Sequence, residues 1–479
     1  MTSRTYRTIQ LQIVHRHGDR TPITPLIDED YWASTLIPPT TLDSIAQTTH
    51  IVSHDKEKKE RQDTQTHKAH GRGPFGKLTQ LGLLQMIQVG NALRDHYSTG
   101  VNDKCHVTQT NKNVIEYWYP YIWSPERHPF HPSTLRVYST DFERAIQSVQ
   151  GLLVGLFPNV DDYQMTTKDE NLESSLYSVP IDIRLAPYMI PDPTPRHTKE
   201  QEELEVILTR QIPNDPAVLQ AAVRITRQLQ PLLAKDAHTF SFGVDDTQTS
   251  DNKQNNPNDD LADQERGMEI ELEPLSFNQL AEITKCLQVR KRLPPAIQTA
   301  DIDTIHKHTA QRWFHNLRHP RLVYLAMNTM VNVQLESMMR AASTTVDSNP
   351  EREPEPEPPV TIWSAHDSTL IGMLCAYRLL PPTKWPDYAS YLVAELLQVT
   401  TTTNQRKQDD FTSTSSSTDI SQTVEEEDIT TTTVEYLVRF FLNGELLQIQ
   451  WDDDEEPMNA ISLTLLAKRW QTAGGISTF

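Results

Sequence analysis

Three strand-like stretches of the chain each run into a cluster of charged or polar side chains. The first stretch is residues 9–14, where apolar and polar residues alternate with the period of a strand that buries one face. It leads directly into the segment Arg16-His17-Gly18-Asp19-Arg20. Open α/β sheets bind ligands at the carboxyl ends of their strands. The pattern therefore predicts an α/β fold with this cluster at the ligand-binding edge of the sheet.

The first cluster sets the imidazole of His17 between the guanidinium groups of Arg16 and Arg20. Arginine makes bidentate contacts with phosphate, and its charge does not titrate away. The cluster therefore predicts an anion site that contains a nucleophile. A basic turn after a strand is the alternative, because short motifs also occur by chance.

The second stretch is the β-branched run at residues 360–365, which leads into His366 and Asp367. An apolar segment typical of a helix follows as far as Leu379. The pair adds a second imidazole and a candidate proton donor to the predicted site. This repetition of strand, polar cluster and helix favours the anion site over a basic turn.

The third stretch, residues 135–140, leads into a helix with one apolar stripe. Thr140 and Glu143 have the spacing of a capping box, which predicts the start of that helix. Arg144 then falls in the first turn, where the helix dipole does not favour a cation. The position makes sense if the helix N-terminus and the guanidinium face a shared anion.

Together these segments resemble the histidine acid phosphatase family, which is branch 2 of the histidine phosphatase superfamily. The resemblance is carried by an ordered set of motifs that spans nearly the whole chain: Arg16-His17-Gly18-x-Arg20-x-Pro22, Gly76-Lys77-Leu78-Thr79-x-x-Gly82-x-x-Gln85, Thr140-Asp141-x-x-Arg144, Ser364-Ala365-His366-Asp367 and Trp385-Pro386-x-x-Ala389-Ser390. Residues 76–158 look somewhat like lysophosphatidic acid phosphatases, which does not define a substrate.

The resemblance implies hydrolysis of phosphate monoesters through a phosphohistidine intermediate on His17. Asp367 would give a proton to the leaving oxygen and then activate the water that releases phosphate. The implied phosphate-binding residues are Arg16, Arg20, Arg144 and His366. No metal and no organic cofactor is implied. If Asp367 is not the donor, Glu395 is the first alternative.

The family fold implied is a mixed open sheet flanked by helices, with a smaller α-helical cap domain inserted. The expected division is a first part of the α/β core at 1–190, the cap at 191–320 and a second part of the core at 321–479. Disordered insertions are expected near 245–264, 347–359 and 400–433, where polar, Glu-Pro and Thr/Ser-rich tracts occur.

Local patterns predict several elements within this frame. Helices are expected at 79–96, 199–210, 217–233 and 277–292, and the first of them is expected to bury Leu81, Leu84, Ile87 and Leu93. Strands at 436–442 and 445–449 flank Asn443-Gly444, the strongest short signal for a hairpin.

Composition limits the partners and the compartment. The net charge of −20 argues against nucleic acid, and no apolar run is long enough to predict a stable membrane insertion. The expected partner is a small-molecule phosphomonoester, while protein partners are not indicated. Three cysteines, no glycosylation sequon and no hydrophobic leader indicate a cytoplasmic protein.

Several alternatives stay open on the sequence alone. Within the family, a phytase or a lysophosphatidic acid phosphatase remains; outside it, a mutase-type transferase or a catalytically weak phosphate-binding protein remains. His50, His54, His67 and His70 have spacings that suit a metal on a helix, but their segment is almost wholly polar. A serine hydrolase is disfavoured because no Gly-x-Ser-x-Gly elbow is present.

Overall fold

The computed structural model describes residues 2–52, 71–98, 106–111, 114–119, 122, 134–157, 178–184, 186–191, 199–213, 215–237, 274–344, 357–380, 384–405, 429–451 and 455–474. These residues form a mixed sheet with helices on both faces, so the predicted α/β class is confirmed. Two apolar clusters cover the faces. One contains Leu11 and Ile13 of the first strand, and the other contains Val14 of the same strand.

The sheet is built around its long first strand. The strands of the described part are β1 (Thr2–Arg16), β2 (Thr49–Val52), β3 (His106–Asn111), β4 (Val114–Tyr119), β5 (Leu135–Thr140), β6 (Val179–Arg184), β7 (Val360–Ala365), β8 (Tyr391–Gln405), β9 (Ile429–Leu442), β10 (Glu445–Leu447) and β11 (Ile461–Ser462). Their main order is β10-β9-β8-β1-β7-β5-β6-β2. β1, β7, β5, β6 and β2 are parallel neighbours, and β8 lies antiparallel to β1.

Helices cover both faces of the sheet, and further helices pack on the loops that follow β1. They are α1 (Glu29–Ser34), α2 (Pro39–Ala46), α3 (Gln80–Tyr97), α4 (Glu143–Leu156), α5 (Ala186–Met189), α6 (Lys199–Gln211), α7 (Pro216–Leu229), α8 (Phe277–Val289), α9 (Thr299–Leu317), α10 (Pro320–Thr344), α11 (Asp367–Ala376) and α12 (Leu463–Ala473). α6, α7 and α8 closely match the three helices predicted beyond residue 195. A third apolar cluster joins α7, α8 and α9 to Leu26, Trp32 and Phe75.

β1 is longer than predicted, and its carboxyl half, from residue 8 to residue 16, is buried on both faces. The polar residues Thr8, Gln10 and Gln12 are as buried as the apolar residues between them. Gln10 and Gln12 both donate to the Ser337 hydroxyl of α10, at 2.9 and 3.2 Å. The alternation therefore gave the right element but the wrong exposure, because helices pack on both sides of a central strand.

The buried face predicted for α3 is confirmed only in part: Leu93 is buried and Ile87 is partly buried, as expected. Leu81 and Leu84 are 44% and 57% exposed, whereas Leu83, Met86 and Val89 are buried. The helix packs closely on α4 through glycines. A Cβ at Gly90 would lie 2.1 Å from the Leu152 carbonyl oxygen, and one at Gly155 would lie 2.0 Å from that of Ile87. Small residues rather than leucines therefore set this interface.

The described residues include the ends of two tracts predicted to be disordered, and there that prediction is wrong. Residues 400–405 continue β8 and residues 429–433 begin β9, so the Thr-rich ends of that insertion are paired strands. Threonine is β-branched and suits such strands. Glu357 is likewise ordered, with ion pairs to Arg136 and Arg340. The insertion at 245–264, and residues 347–356 and 406–428, lie outside the described residues.

The predicted hairpin at the sheet edge is confirmed. β9 and β10 are joined by Asn443 and Gly444, whose φ values are 52° and 86°. Both residues are left-handed, as a two-residue type I′ turn requires. The side-chain oxygen of Asn443 also accepts from the Tyr391 N–H at 2.9 Å, which anchors the turn to β8.

Candidate active site

The carboxyl ends of β1, β7 and β5 meet at one edge of the sheet. Arg16 is paired with Ala365 in register, and Ser139 is paired with Ser364. The residues that follow these strands are therefore adjacent in space, and the structure brings all six predicted site residues together there. The side chains of the set are Arg16, His17, Arg20, Arg144, His366 and Asp367, and the first five of these residues are at most 5% exposed.

His17 is held in one orientation by the backbone around it. Its N–H donates to the Ala365 carbonyl at 3.1 Å, and its Nδ1 lies 2.8 Å from the Gly18 carbonyl oxygen. A carbonyl oxygen only accepts, so Nδ1 carries the proton and Nε2 carries the lone pair. The ring lies edge-on to that of His366, with 5.4 Å between centroids.

The electrostatic surroundings keep the His17 imidazole neutral. Burial lowers its pKa well below the usual value, and the charges of Arg144 and Arg16 lower it further. A neutral imidazole with its lone pair on Nε2 is the nucleophilic form of histidine. Its position between cations therefore favours both anion binding and nucleophilic attack.

Arg16 lies between the carboxylate of Asp367 and a ring. Its Nη2 is 2.7 Å from Asp367 Oδ2, and its Nη1 donates to the Pro386 carbonyl at 2.5 Å. The guanidinium stacks on the Tyr388 ring at 4.2 Å from the centroid. These contacts fix its plane, which is what bidentate recognition of an oxyanion needs.

Arg144 is also buried and stacked. Its Nη1 donates to the Gly76 carbonyl at 3.3 Å, and its guanidinium lies 4.4 Å from the centroid of the Phe142 ring. Burial lowers the pKa of Arg144 to about 9, with the neighbouring charges of Arg20 and Arg16 acting in the same direction. An anion bound between these guanidinium groups would reverse that shift.

The capping box predicted at the start of α4 is wrong. The N-cap residue is Phe142, and no side chain caps the helix. The Thr140 hydroxyl instead lies 3.1 Å from Nε2 of His366, so it orients that ring. The backbone N–H of His366 in turn donates to the Thr369 hydroxyl at 3.4 Å. Thr140 thus serves the site rather than the helix.

Asp367 is the most exposed member of the set, with 22% of its side chain accessible. Its Oδ2 accepts from Trp385 Nε1 at 2.9 Å, and its Oδ1 accepts from the Ser368 N–H at 2.9 Å. Burial raises the pKa of Asp367, but the charge of Arg16 and these hydrogen bonds outweigh it. The net pKa is lowered, so the carboxylate is ionised in the unliganded protein.

The contacts from α8 were missed by sequence reasoning. Glu282 Oε1 accepts from Arg20 Nη1 at 2.7 Å, and Arg290 Nη2 donates to Asp19 Oδ2 at 2.7 Å. Cys286 lies between them, with its Sγ 3.6 Å from the Arg20 carbonyl oxygen. Glu282, Cys286 and Arg290 recur every four residues, which places them on one helical face. This four-residue spacing is the one feature of the sequence that links the three residues, and it does not match a functional motif.

Close backbone approach explains the glycine in the first cluster. A Cβ on Gly18 would lie 2.2 Å from the Gly82 carbonyl oxygen, and a Cβ on Gly82 would lie 2.1 Å from the Asp19 carbonyl oxygen. The loop after β1 therefore packs directly on the first turn of α3. Thr79 caps that helix by accepting from the Gly82 N–H, and its hydroxyl also donates to Asp19 Oδ2 at 2.6 Å.

A pocket lies beside the Asp367 end of the site. Its lining includes Phe277, Trp313 and Leu317 together with polar side chains of α6 and α9. Trp313 contacts Trp385 edge to face, with 6.0 Å between centroids, and Trp385 donates to Asp367. Trp313 in the pocket wall and Trp385 behind it therefore stand between the pocket and the carboxylate.

The remaining sequence candidates do not join the site. Glu395, the alternative donor, lies within β8 opposite Leu11, where it pairs with Arg439 and accepts from Thr8 at 2.5 Å. It is excluded as a donor because that register lies well before the end of β1. Ser364, next to the His366-Asp367 pair and the serine that a serine hydrolase would use there, donates to the Ala145 carbonyl at 2.7 Å.

The proposed metal histidines give no site in the described residues. His50 Nδ1 lies 2.9 Å from the Ser178 hydroxyl, while His54, His67 and His70 lie outside those residues. No group of three His, Cys, Asp or Glu side chains suited to a metal ion occurs in the part that the structure describes.

A neutral histidine among buried arginines, at the carboxyl ends of parallel strands, defines a site for an oxyanion. Residues 8–179 match the family model of the histidine phosphatase superfamily (branch 2), and this confirms the family resemblance of that segment. Over 154 residues the chain is 30% identical to lysophosphatidic acid phosphatase type 6 of Bos taurus. Over 140 residues it is 29% identical to lysosomal acid phosphatase of Rattus norvegicus.

These matches cover 31% and 29% of this chain and only 30% and 26% of the relatives, so the chain matches less than a third of their length. Solved structures align over more of the chain at lower identity. The phytase from Citrobacter braakii covers 98% of both chains at 10% identity and a TM-score of 0.46. The Hafnia alvei phytase with tartrate covers 98% of this chain and 97% of its own, at 12% identity and a TM-score of 0.47.

None of the helices within the described ranges is both long and apolar enough to span a membrane.

Proposed function

We propose that the protein is a histidine acid phosphatase, which hydrolyses phosphate monoesters through a phosphohistidine on His17 with Asp367 as proton donor. The observation that carries the proposal is the fixed tautomer of His17, which leaves the lone pair on Nε2 of a neutral ring surrounded by guanidinium groups. The arginines neutralise the transferring group, and the imidazole accepts it.

The reaction is divided into two balanced transfers. In the first, His17 Nε2 forms a bond to phosphorus while the ester P–O bond breaks, and Asp367 gives its proton to the departing alkoxide. In the second, a water oxygen forms a bond to phosphorus while the N–P bond breaks, and Asp367 takes a proton from that water. Inorganic phosphate leaves, and both residues return to their starting states.

Charge neutralisation supplies most of the rate in this scheme. Arg16, Arg20 and Arg144 hold the three non-bridging oxygens, and His366 adds a hydrogen bond to one of them. Phosphoryl transfer depends on positioning and on stabilising charge in this way. The buried, stacked guanidinium groups of Arg16 and Arg144 support these roles, because little reorganisation is needed when an anion binds.

Asp367 acquires its proton when substrate binds. In the unliganded site its pKa is lowered, mainly because Arg16 and the Trp385 hydrogen bond outweigh burial. A phosphate dianion neutralises Arg16 and adds negative charge nearby, and both effects raise the pKa of Asp367. Activity on alkyl phosphates should therefore be highest at roughly pH 4 to 6, where proton uptake and a neutral His17 coexist.

Among substrates, we propose monoesters of an apolar alcohol over inositol polyphosphates. The described cations of α8 near the site are paired with carboxylates, Lys285 with Asp387 and Arg290 with Asp19. Additional phosphates would have to displace those partners. The rings of Trp385 and Trp313 extend from Asp367, the proposed proton donor, to a pocket of mixed lining that includes Phe277 and Leu317, and these apolar side chains favour an apolar leaving group. A panel of alkyl phosphates, aryl phosphates and inositol hexakisphosphate tests this preference.

The experiment for the activity is release of phosphate from p-nitrophenyl phosphate by wild type and His17→Ala. We expect turnover only in the wild type, because no other described group at the strand end is placed to accept the phosphoryl group. The circular dichroism of the variant should be unchanged. His96→Ala on α3 is the matched control and should retain full activity.

The chemical stability of the phosphoenzyme identifies the nucleophile. A base-stable, acid-labile adduct in the wild type supports histidine, whereas an acid-stable adduct points to serine and contradicts the proposal. Absence of turnover in folded wild type would leave a phosphate-binding protein. Phosphoryl transfer to an alcohol acceptor without release of phosphate would indicate a mutase-type transferase.

We also propose the cap domain at 191–320 and a cytoplasmic location. The free thiols of Cys286 and Cys375, both buried, are consistent with a reducing compartment. Limited proteolysis should release fragments that end near residues 190 and 320. Imaging of the tagged chain in its own cells tests the location.

A further inference from the structure

We infer that Glu282, on the cap helix α8, is a positioning residue that sets how tightly the site holds phosphate. Its carboxylate fixes the guanidinium of Arg20 and at the same time opposes the positive charge of the site. The inference rests on the proposed function only in placing Arg20 at the bound phosphate.

The geometry joins Glu282 to Arg20 and to the loop after β1 at once. Oε1 accepts from Arg20 Nη1 at 2.7 Å and from the Ile23 N–H at 2.5 Å. The two side chains of the ion pair are 6% and 7% exposed. Arg20 Nη1 also donates to the Thr21 carbonyl at 3.0 Å, so this end of the guanidinium faces away from an incoming anion.

Folding alone does not account for this carboxylate. Its Oε2 is buried and has no hydrogen-bond partner among the described residues. Buried ion pairs cost desolvation and are weak evidence for stability, and apolar replacements often do as well. A buried carboxylate with one unsatisfied oxygen, beside a group of arginines, is better explained by its electrostatic effect on the site.

The rest of α8 keeps Glu282 in place. One turn further along, Cys286 contacts the Arg20 carbonyl oxygen, and two turns along, Arg290 Nη2 donates to the same oxygen at 3.3 Å. The helix is therefore fastened to the Arg20 backbone by two residues and to its side chain by a third. Loss of the Glu282 charge alone should leave this arrangement intact.

The charge matters because product and transferring group use the same contacts. Arg16 is partnered by Asp367, and Arg20 is partnered by Glu282. Without these carboxylates, the arginines would bind inorganic phosphate more tightly and slow its release. A charge inside a poorly solvated site acts strongly on a neighbouring anion. Glu282 therefore weakens phosphate binding through its charge and strengthens it through the orientation of Arg20.

The two effects are separated by two substitutions. In Glu282→Gln the amide oxygen can still accept from Ile23 and Arg20, so the orientation is kept and the charge is lost. In Glu282→Ala both are lost. We expect the dissociation constant of inorganic phosphate, measured by calorimetry at pH 5.5, to fall at least about threefold in Glu282→Gln and to rise in Glu282→Ala. Glu203→Gln, on the exposed face of α6, is the control and should bind as the wild type.

Opposite shifts in the two variants would not result from a merely structural role, which would weaken binding in both. A decrease of less than threefold in Glu282→Gln, or an increase, overturns the electrostatic effect. Binding by Glu282→Ala as tight as that of Glu282→Gln overturns the positioning effect. Thermal unfolding of each variant checks the fold. Calorimetry does not require turnover, so inactivity of the wild type on p-nitrophenyl phosphate would contradict the proposed function separately.

Discussion

The strand ends and helix α8 hold the site in different ways. At the strand ends, backbone hydrogen bonds fix the proposed nucleophile: the Ala389 N–H donates to the His17 carbonyl at 3.0 Å, and the His17 N–H donates to the Ala365 carbonyl at 3.1 Å. On the other side of the site, the contacts come from the side chains of Glu282 in α8 and of Arg290, the residue that follows this helix. The proposed nucleophile is therefore held by main-chain contacts, which side-chain substitutions leave in place. The contacts from α8 can each be removed by a single substitution.

The comparison predicts that substitutions at the strand ends cost the most activity. Asp367→Asn removes the proposed proton donor, and general acid catalysis is typically worth roughly 10²- to 10⁴-fold. We expect a loss of that size in kcat/KM for an alkyl phosphate. The loss should be much smaller for p-nitrophenyl phosphate, because nitrophenolate leaves with little help. Steady-state kinetics on both substrates measures the ratio.

The pH profile provides the control for that variant. Wild-type kcat/KM on the alkyl phosphate should decline as pH rises past the optimum. Above the optimum, Asp367 stays ionised even when substrate is bound, so it has no proton to donate. Asp367→Asn should lose this decline. Equal losses on both substrates, with an unchanged profile, would show that Asp367 is not the donor.

Arg144→Ala should cost somewhat less. It removes one clamp on the transferring group and leaves the nucleophile and donor intact. We expect a loss of roughly 2 to 4 kcal/mol in transition-state stabilisation, comparable with removal of one oxyanion donor. The measurement is kcat/KM on p-nitrophenyl phosphate. A fall of less than about fivefold, equivalent to ~1 kcal/mol, would make Arg144 a structural residue of α4.

The two sides also differ in how far the sequence predicts them. The strand-end residues follow strands whose apolar pattern and polar ends are local signals, and Arg16, His17 and Asp367 came from those signals. The residues of α8 have no such signal, because Glu282 meets Arg20 across 262 positions of the chain. Only the packing of α7, α8 and α9 on the loop after β1 brings them together. The capping role given to Thr140 failed for the same reason, since its partner His366 is 226 positions away.

Exposure was the other quantity that local pattern predicted poorly. The alternation in β1 predicted that Gln10 and Gln12 face solvent. In the structure both are buried, because helices cover both faces of this central strand. The spacing in α3 correctly predicted burial of Leu93 but not the exposure of Leu81 and Leu84, since Gly90 and Gly155 bring another face of the helix close to α4. In both cases tertiary packing decided which residues are buried.

The smallest effect is expected from an exposed ion pair of α8, which contrasts with the buried contacts that the same helix makes. Lys285 lies on α8 beside the buried contacts, but its ion pair with Asp387 is partly exposed, with 31% and 45% of the two side chains accessible. Asp387 also keeps a second partner, since Lys384 Nζ lies 2.7 Å from its other oxygen. Partly exposed pairs contribute about 0 to 1 kcal/mol, so Lys285→Ala should lower the free energy of unfolding by no more than that. Urea unfolding measures the change, and kcat/KM should stay within about twofold of the wild type, equivalent to ~0.4 kcal/mol. A tenfold loss of activity would mean that the exposed charge of Lys285 acts on the substrate, as well as the buried charge of Glu282. The distinction between strand-end residues that do the chemistry and α8 residues that adjust it would then be wrong.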